Sequence, residues 1–408
     1  MAENNNPAKI AVFGYGTVGS GIVEVIDRNG DIIAERIGRA LIVKYILDLR
    51  EFKGDKHEAQ IVHDVDVILN DPEIEIVCEA MGGTGAAYKF TKEALLKGKS
   101  VCTSNKAVVA EFGPELLKLA SYNGCSYLFE ASCGGGIAVI RPIRTSLSPE
   151  KIISIEGILN GTTNYILTKI EKEGADFDSV LKEAQKLGYA EADPSADIEG
   201  YDACRKIAIL SSLAYGKTVD FKEIPTEGIT KITKDDFAYM KELDATIKLL
   251  GFSYEEDGKY FARVAPFVVP GHNPLFAVND VMNAILIEGN TLGETMYYGA
   301  GAGKLPTASA VVSDVIECAL HKGKSLPSPW RDEKLELADE GSAKRKFFVR
   351  VKDEGDNTDF KIRDTFGDVR ILNKMVEGEV GFVTGELSEN DFKAKSDKLN
   401  AISYIRLV

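Results

Sequence analysis

The sequence has little that could build a zinc site or a disulfide framework. Its six cysteines lie far apart, no C-x-x-C pair occurs, and only four histidines are present in 408 residues. Closely spaced cysteines and histidines are the usual ligands of structural zinc, and cysteines at short spacing mark small disulfide-bonded domains. We therefore expect reduced thiols, as in a cytoplasmic protein, and no zinc centre.

Long apolar runs and an excess of positive charge are also missing. No apolar segment approaches the roughly 20 residues that span a bilayer, and the polar start lacks the apolar core of a secretory signal. The 49 basic residues are outnumbered by 63 acidic ones, which gives a net charge of −14. This balance argues against non-specific binding to nucleic acid or membrane surfaces. We expect a small-molecule substrate, and neither nucleic acid nor a membrane as partner.

What the chain does contain, over its first 136 residues, is an alternation of strands and helices. Apolar runs are followed by stretches with helical spacing, such as 20–28 and 113–123. The predicted strands are 9–13, 41–47, 74–79, 100–103 and 126–129. This alternation is typical of an α/β fold with a doubly wound parallel sheet. The pattern predicts a Rossmann-type domain over residues 1–136.

The rest of the chain separates into further regions. Residues 137–299 mix predicted strands with amphipathic helices, which indicates an α+β domain. Residues 323–345 begin with a stretch that is rich in glycine, serine and proline, and they are predicted to be a linker. The last region, 346–408, has the order strand, helix, strand, strand, helix, strand. This βαββαβ order predicts a small ferredoxin-like module.

A glycine motif follows the first predicted strand and precedes the first predicted helix. It has the form Gly14-x-Gly16-x-x-Gly19. In this context the first glycine permits a tight turn, the second lets the backbone approach a pyrophosphate, and the third permits close packing of helix and strand. The motif predicts dinucleotide binding, with a plain strand-to-helix turn as the alternative.

The residues at the end of the second predicted strand do not decide whether the cofactor is NAD or NADP. Asp48 ends that strand, where a carboxylate would bind the ribose hydroxyls of NAD. Arg50 and Lys53 follow it and could neutralise the 2′-phosphate of NADP. Asp48 also stands 29 positions past Gly19, further than the usual spacing of about 20.

Residues 188–206 contain an unusual density of charged side chains. Carboxylates, including Glu191, Asp197 and Asp202, surround a turn punctuated by glycine and proline, and Lys206 stands at the head of an apolar helix. Acids and a lysine around such a turn can hold an amino-acid ammonium and place a proton carrier beside it. The alternative for Asp202 and Lys206 is an exposed i,i+4 ion pair worth about 0.3–0.5 kcal/mol.

Several motifs, taken in order, are similar to those of one enzyme family. They are the segments 14–19, 103–107, 130–137, 157–166, 188–206 and 299–303. From Gly14 to about Leu320 the chain resembles homoserine dehydrogenase, which interconverts L-aspartate 4-semialdehyde and L-homoserine in threonine, methionine and isoleucine biosynthesis. The resemblance implies direct hydride transfer with NAD or NADP, a catalytic and dimerisation domain at 137–299, and packing of 300–322 against the dinucleotide domain. It also implies a homodimer or homotetramer, and a monofunctional enzyme because no aspartate-kinase segment precedes Gly14.

The resemblance assigns roles to single positions. Lys206 corresponds to the proton donor and acceptor, and Asp202 could orient it. Lys106 corresponds to a lysine beside the nicotinamide and the substrate, and is a further catalytic candidate because it could help with proton transfer. The implied substrate-binding residues are Gly188, Glu191, Asp197, Asp202 and Thr162. The implied cofactor-binding residues are Gly14, Gly16, Thr17, Val18, Gly19, Asp48, Arg50, Thr103, Ser104, Lys106 and Gly303.

A cation and a regulatory domain are further implications of the resemblance. Family members hold a monovalent cation, usually sodium, with backbone carbonyls that correspond to Glu130, Cys133, Gly135 and Ile137. Carbonyls of a glycine-rich loop suit a hard cation, and a strained turn beside the cofactor is the alternative. The C-terminal module resembles an ACT domain, but 353–358 lacks the Pro-Gly pair that shapes the family's amino-acid pocket. The fold is therefore expected without threonine binding, and oligomerisation through strand pairing is the alternative role.

Two other functions fit part of the sequence. Cys133 follows the predicted cofactor domain, as a nucleophilic cysteine does in phosphorylating aldehyde dehydrogenases, but that chemistry needs a basic histidine beside the thiol. The second alternative is a non-catalytic sensor that binds NAD(P) and an amino acid. Retention of Lys206, Asp202, Glu191 and Lys106 together argues for an enzyme.

Overall fold

The computed structural model describes residues 6–408, which fall into two compact units. The first comprises the chain up to Pro149 together with Ile209–Val219 and Gly299–Lys334. The second comprises Glu150–Ala208, Asp220–Tyr298 and Leu335–Val408. Among residues 6–408, no helix combines the length and the hydropathy that a membrane-spanning segment requires.

The elements alternate through most of the chain. The strands are β1 (Ala8–Phe13), β2 (Leu41–Leu47), β3 (Ile61–Val62), β4 (Ile74–Glu79), β5 (Ser100–Thr103), β6 (Tyr127–Leu128), β7 (Ile152–Ile158), β8 (Lys217–Thr218), β9 (Ala245–Glu256), β10 (Lys259–Pro270), β11 (Met282–Gly289), β12 (Gly293–Ala300), β13 (Arg331–Lys334), β14 (Lys344–Arg345), β15 (Phe347–Lys352), β16 (Val369–Ile371), β17 (Glu379–Thr384), β18 (Leu387–Ser388) and β19 (Ser403–Leu407). The helices are α1 (Thr17–Ile37), α2 (Val65–Leu69), α3 (Gly85–Leu96), α4 (Lys106–Tyr122), α5 (Ile140–Arg144), α6 (Gly161–Glu173), α7 (Phe177–Lys186), α8 (Ser195–Ile198), α9 (Tyr201–Tyr215), α10 (Lys234–Ala238), α11 (Lys304–Leu320), α12 (Thr358–Phe366) and α13 (Glu389–Leu399).

The first unit is built on a six-stranded parallel sheet. Its strand order is β3-β2-β1-β4-β5-β6. The chain runs from β1 outward to β3 and then returns to place β4 on the other side of β1, so the topological switch point lies between β1 and β4. β1 and β4 are almost wholly buried apolar runs, as expected for central strands with helices on both faces. Helix α1 packs on α11 through a shared apolar core. The predicted Rossmann-type, doubly wound sheet is confirmed, and its ligand crevice is expected at the carboxyl ends of β1 and β4.

The second unit is built on a nine-stranded sheet. Strands β12, β11, β7, β9 and β10 form one half, with antiparallel pairing in the pairs β11–β7, β7–β9 and β9–β10. Leu250, Phe267 and Leu286 belong to its buried core. Strand β10 then pairs in parallel with β19, with Phe267 opposite Arg406. The sheet therefore continues without a break into the C-terminal region.

The C-terminal region has the order β15, α12, β16, β17, α13, β19, with the short β18 before α13. The spatial order is β19-β15-β17-β16, the arrangement of a ferredoxin-like module. Its core is aromatic, and the rings of Phe347 and Phe392 stack with centroids 3.7 Å apart. The predicted order of strands and helices agrees with this arrangement.

Residues 323–345 contain more structure than a bare linker would. They include β13 and β14, and Trp330 and Leu335 are buried. A Cβ atom on Gly113 would lie 2.8 Å from the Trp330 ring, so the indole packs directly on α4. The indole Nε1–H donates to Thr218 Oγ1 at 3.0 Å. These contacts anchor the segment after α11 to the first unit.

Candidate active site

The turn between β1 and α1 fits a dinucleotide phosphate. Gly14 has φ +90°, a conformation that favours glycine, and a Cβ atom on Gly19 would lie 1.8 Å from the Gly14 carbonyl oxygen. Gly16 precedes the helix and a Cβ there would meet nothing within 4 Å. Thr17 and Val18 form the first turn of α1. The backbone at the helix N-terminus is therefore open to an anion, as the glycine motif requires.

Asp48 is hydrogen-bonded on both carboxylate oxygens at the end of β2. Its Oδ2 accepts the Tyr15 N–H at 2.8 Å and Arg50 Nη2–H at 2.9 Å, and its Oδ1 accepts the Arg50 N–H and Nε–H, both at 2.9 Å. These bonds from Arg50 hold the pKa of Asp48 well below its usual range. The Arg50 side chain remains 62% exposed. It lines a cavity of about 980 Å³ that also contains Gly16 and Thr17.

A buried carboxyl group organises the next candidate loop. Thr103 Oγ1 donates to Glu79 Oε2 at 2.5 Å and accepts the Asn105 N–H at 2.9 Å, and the Ser104 N–H reaches the Glu79 carbonyl at 3.4 Å. Asn105 in turn caps α4 through the Val108 N–H at 3.2 Å, so that Lys106 begins the helix. Burial raises the pKa of Glu79 to about 7.

Sequence reasoning missed Glu79 and Asn105. A carboxylate that ends an otherwise apolar strand, and an asparagine directly before a helix, were the signals that could have identified them. The structure brings Thr103, Ser104 and Lys106 together around this pair. Thr103 has no exposed surface, and its hydroxyl donates to Glu79. Its side chain therefore stabilises the loop from the protein interior.

The lysine of the second unit lies in a buried, hydrogen-bonded site. Lys206 Nζ donates to the Leu159 carbonyl and to Asp202 Oδ2, each at 2.7 Å. The side chains of Lys206 and Asp202 are only 9% and 6% exposed. Asn160 Nδ2 donates to Asp202 Oδ2 at 2.9 Å and to Asp197 Oδ1 at 2.7 Å. The predicted alternative, an exposed ion pair, is therefore wrong for Asp202 and Lys206.

The loop that carries Gly188 and Glu191 is held by side chains from two helices. Thr162 Oγ1 donates to the Tyr189 carbonyl at 2.6 Å, and Gln185 Nε2 donates to the Glu191 carbonyl at 3.1 Å. Gly188 has φ +77°, which favours glycine at this turn. The Glu191 side chain is exposed. Thr162 thus contacts the loop backbone, and Glu191 stands on the surface of that loop.

The loop at 130–137 is tied down by charged groups. The buried Glu130 carboxylate accepts backbone N–H groups from Val139, Ile140 and Arg141 at 2.6–2.8 Å, and the Glu130 N–H donates to Asp314 Oδ2 at 2.8 Å. Burial raises the pKa of Glu130 and raises that of Asp314 to about 8. The loop backbone is therefore fixed by residues outside it.

Glycines bring this loop against the 299–303 turn. A Cβ atom on Gly135 would lie 2.4 Å from the Gly301 carbonyl oxygen, and the Gly136 N–H donates to the Ala300 carbonyl at 3.1 Å. The Ile137 N–H donates to the Gly134 carbonyl at 2.9 Å. Gly303, with φ +117°, then precedes α11. Residues 130–137 and 299–303 thus form one packed pair of turns.

Cysteine and metal chemistry find little support in these surroundings. All six cysteines are buried thiols, and Cys133 has no exposed surface and lies 3.8 Å from the Ser132 hydroxyl. Between residues 6 and 408, no group of three or more His, Cys, Asp or Glu side chains is arranged to hold a metal ion. A cation at 130–137 would therefore rely on backbone carbonyls.

Comparison with known proteins gives consistent matches along the chain. The family model of the homoserine dehydrogenase NAD-binding domain matches residues 14–130, and that of homoserine dehydrogenase matches residues 139–316. A homoserine dehydrogenase of Bacillus subtilis is 36% identical, over 98% of this chain and 96% of its own length. The solved structure of a homoserine dehydrogenase from Thiobacillus denitrificans is 34% identical with a TM-score of 0.90, covering 99% and 98% of the two chains. A hyperthermophilic archaeal homoserine dehydrogenase solved in complex with NADPH is 29% identical with a TM-score of 0.66, covering 79% of this chain and 99% of its own.

Proposed function

The chain belongs to the homoserine dehydrogenase family, and we propose that Lys206 is the proton carrier when it interconverts L-homoserine and L-aspartate 4-semialdehyde. The observation that carries this assignment is the position of Lys206 Nζ, buried and held at 2.7 Å by both the Leu159 carbonyl and Asp202. A buried lysine fixed by two acceptors has a defined direction, which a general acid or base requires. NAD(P), when bound, supplies the hydride acceptor or donor.

The proton and the hydride leave L-homoserine from different atoms. In the oxidation, Lys206 in its neutral form takes the hydroxyl proton, and the carbon of the same group gives up its hydride as the C=O bond forms. In the reduction, the Lys206 ammonium returns the proton to the oxygen that becomes the hydroxyl group. Asp202 keeps the lysine oriented in both directions through the 2.7 Å bond.

Asp197 and Glu191 are proposed to bind the substrate ammonium. Asp197 is held by Asn160 in the same hydrogen-bonded group as Asp202 and Lys206, which supports a position near the reacting carbon. Glu191 is exposed on a loop that Thr162 and Gln185 hold from below. In this proposal, Thr162 and Gly188 determine the shape of the loop. Glu191 supplies a second negative charge to the positively charged ammonium group of the substrate.

NADP is proposed as the preferred cofactor. Each oxygen of Asp48 already accepts two hydrogen bonds, which leaves this carboxylate poorly suited to bind ribose hydroxyls. The exposed guanidinium of Arg50 instead offers a cation at the rim of the cavity beside Gly16. Arginine suits phosphate because its planar N–H groups match phosphate oxygens. Lys106 and Gly303 are proposed to complete the cofactor site.

A test of this preference is the Arg50→Ala variant. A lost charge-assisted hydrogen bond is worth roughly 1.5–3 kcal/mol, so kcat/KM for NADP should fall on the order of 10- to 100-fold. The value for NAD should stay within a few-fold of the wild type. Arg36→Ala, in the exposed last turn of α1, is the matched control. Equal losses with both cofactors would contradict a 2′-phosphate contact.

A monovalent cation and an ACT-like module complete the proposal. The Glu130 carboxylate is engaged by three backbone N–H groups, so carbonyl oxygens are the ligands that residues 130–137 offer a cation such as sodium. The ferredoxin-like order at the C-terminus supports an ACT-like module. A homodimer or homotetramer is proposed because β12 exposes Met296 and Tyr298 at the edge of the nine-stranded sheet.

The function is tested by cofactor reduction with L-homoserine, using Lys206→Met and a matched control. Lys169→Met removes an i,i+4 lysine from an exposed pair with Glu173 in α6. Loss of a general acid–base group should lower kcat on the order of 10²- to 10⁴-fold in Lys206→Met, while Lys169→Met keeps wild-type turnover. Circular dichroism confirms that both variants are folded. Near-normal turnover in folded Lys206→Met would disprove the assignment.

A further inference from the structure

Asn160 uses its whole side chain in the Lys206 site. Its Oδ1 accepts the Thr163 N–H at 2.9 Å and so caps α6. Its Nδ2 gives one hydrogen to Asp197 Oδ1 at 2.7 Å and the other to Asp202 Oδ2 at 2.9 Å. The residue is 6% exposed. A carboxamide has two N–H hydrogens, and both are directed at carboxylates.

The two carboxylates need a donor between them. Asp197 lies in α8 and Asp202 in the first turn of α9, and both converge on one nitrogen atom. Two like charges brought together in a buried site repel unless hydrogen bonds favour the charged forms. The NH₂ group of Asn160 supplies one hydrogen bond to each carboxylate, and so links Asp197 to Asp202, the carboxylate that contacts the lysine.

The turn after β7 also contacts the lysine through the backbone. The Leu159 carbonyl, directly before Asn160, accepts a hydrogen bond from Lys206 Nζ. Asp202 Oδ2 accepts from both Asn160 and Lys206, so the amide and the ammonium share one oxygen atom. Two consecutive residues thus hold the lysine, one directly and one through Asp202.

We propose that Asn160 is a positioning residue. Through its hydrogen bonds it connects Asp197, the proposed substrate-binding carboxylate, to Asp202 and thereby to the proton carrier Lys206. The inference rests on the proposed role of Lys206 and goes beyond it, since helix capping alone explains only the Oδ1 bond. Asparagine, aspartate and serine are about equally good at the N-cap. Replacement of Asn160 by aspartate or serine would therefore keep the helix cap, whereas the hydrogen bonds to the two carboxylates require the NH₂ group.

Asn160→Asp separates the two roles because it keeps the shape and the cap but replaces both donors with an oxygen. Displacing the lysine should lower kcat on the order of 10²-fold, and the KM for L-homoserine should rise because Asp197 loses the hydrogen bond from Asn160. Because the variant adds a negative charge beside the group that takes up the hydroxyl proton, the rising limb of kcat/KM for oxidation should move to higher pH. Asn160→Ser keeps the cap without adding charge, and should lower kcat with a smaller displacement of the limb.

Asn273→Asp is the matched control within the same unit. Asn273 also precedes a helical turn, accepting the Leu275 N–H at 2.8 Å, and its Nδ2 donates to the partly buried Glu156 at 3.1 Å. This variant should lose stability without a change in kcat, KM or pH profile. The proposal is supported if Asn160→Asp shows the pH displacement and the KM rise at a melting temperature comparable to that of Asn273→Asp.

Either of two results would overturn the proposal. One is a wild-type pH profile in Asn160→Asp, and the other is unchanged kcat and KM in Asn160→Ser, the variant to use should Asn160→Asp not fold. Failure of the proposed function is distinguishable, because it would leave Lys206→Met active while these variants change. A loss of activity in Lys206→Met with no effect at position 160 would reject only the positioning role.

Discussion

Two lysines with the same sequence spacing behave differently in this protein. Lys206 and Lys169 each pair with a carboxylate four residues away on a helix. The side chains of Lys169 and Glu173 are 25% and 53% exposed, whereas those of Lys206 and Asp202 are 9% and 6% exposed. Exposed pairs contribute little to stability, but a buried pair whose members have further hydrogen bonds is held in one geometry. Burial, rather than spacing, separates the candidate catalytic lysine from a surface lysine.

Glu79 is a residue whose titration is predicted to change stability near neutral pH. Burial raises its pKa to about 7 from the ordinary 4.5, so between these values the folded state binds more protons than the unfolded state. Stability from this group is therefore present below pH 4.5 and is lost as the pH rises through 7. The loss amounts to roughly 3 kcal/mol, since each pKa unit corresponds to about 1.4 kcal/mol.

The measurement is urea unfolding of the wild type and Glu79→Gln from pH 4.5 to pH 8. The wild type should lose free energy of unfolding relative to Glu79→Gln over this range, because glutamine cannot ionise. Glu111→Gln, at an exposed position of α4, should follow the wild type. A constant difference between the wild type and Glu79→Gln at all pH values would contradict a raised pKa.

At the scale of elements, the close approach of α1 and α11 depends on one glycine. A Cβ atom on Gly21 would lie 2.8 Å from the Lys304 carbonyl oxygen and 3.0 Å from Ala308 Cβ. Gly30, in the same helix, would place a Cβ in open space. The two glycines therefore predict opposite effects of the same substitution.

Gly21→Ala should lower the free energy of unfolding by about 1–3 kcal/mol, because an added methyl group overpacks the contact between helices. Gly30→Ala should raise it by about 0.4–1 kcal/mol through the lower entropy of the unfolded chain. Chemical denaturation of both variants measures the difference. The packing of α1 on α11 would be looser than described if Gly21→Ala were as stable as Gly30→Ala.

At the scale of the whole molecule, the C-terminal module is part of the second unit. Besides the β10–β19 pairing, Arg350 Nη1 donates to the buried Asp236 of α10 at 2.8 Å, and Arg350 also pairs with Glu379 at 2.6 Å. Asp236 further accepts the Ser403 hydroxyl at 2.7 Å. The module is thus joined by backbone pairing and by buried charge.

Arg350→Met tests how much this charge contributes. Removing one partner leaves Asp236 buried without its cation, which should lower the free energy of unfolding by about 3–5 kcal/mol. Lys361→Met removes the lysine of an exposed pair with Glu354 and should change it by less than about 1 kcal/mol. Thermal and urea unfolding provide the comparison. Equal stability of the two variants would mean that β10–β19 pairing alone holds the module.

Features that depend on local pattern could be predicted from the amino-acid sequence. Apolar periodicity predicted the alternating elements of the Rossmann-type sheet and the βαββαβ order of the C-terminal module, because strands and helices differ in side-chain period. The glycines at 14, 16 and 19 predicted the turn before α1, since that backbone path needs a positive φ at Gly14 and no Cβ at Gly19. The full extent of α1 and α4 was not predicted, because tertiary packing extends helices beyond their clearest apolar stretch.

The chemical surroundings of the charged residues depend instead on how distant segments fold together. Three of the hydrogen bonds that Lys206 and Asn160 make join positions 37, 42 and 47 residues apart. No local pattern reports contacts at such separations, and none reveals that the Asp48 carboxylate is already taken up by Arg50 and Tyr15. Burial and hydrogen-bond satisfaction depend on which distant segments meet, and they determine whether a charged residue is a surface group or part of a site.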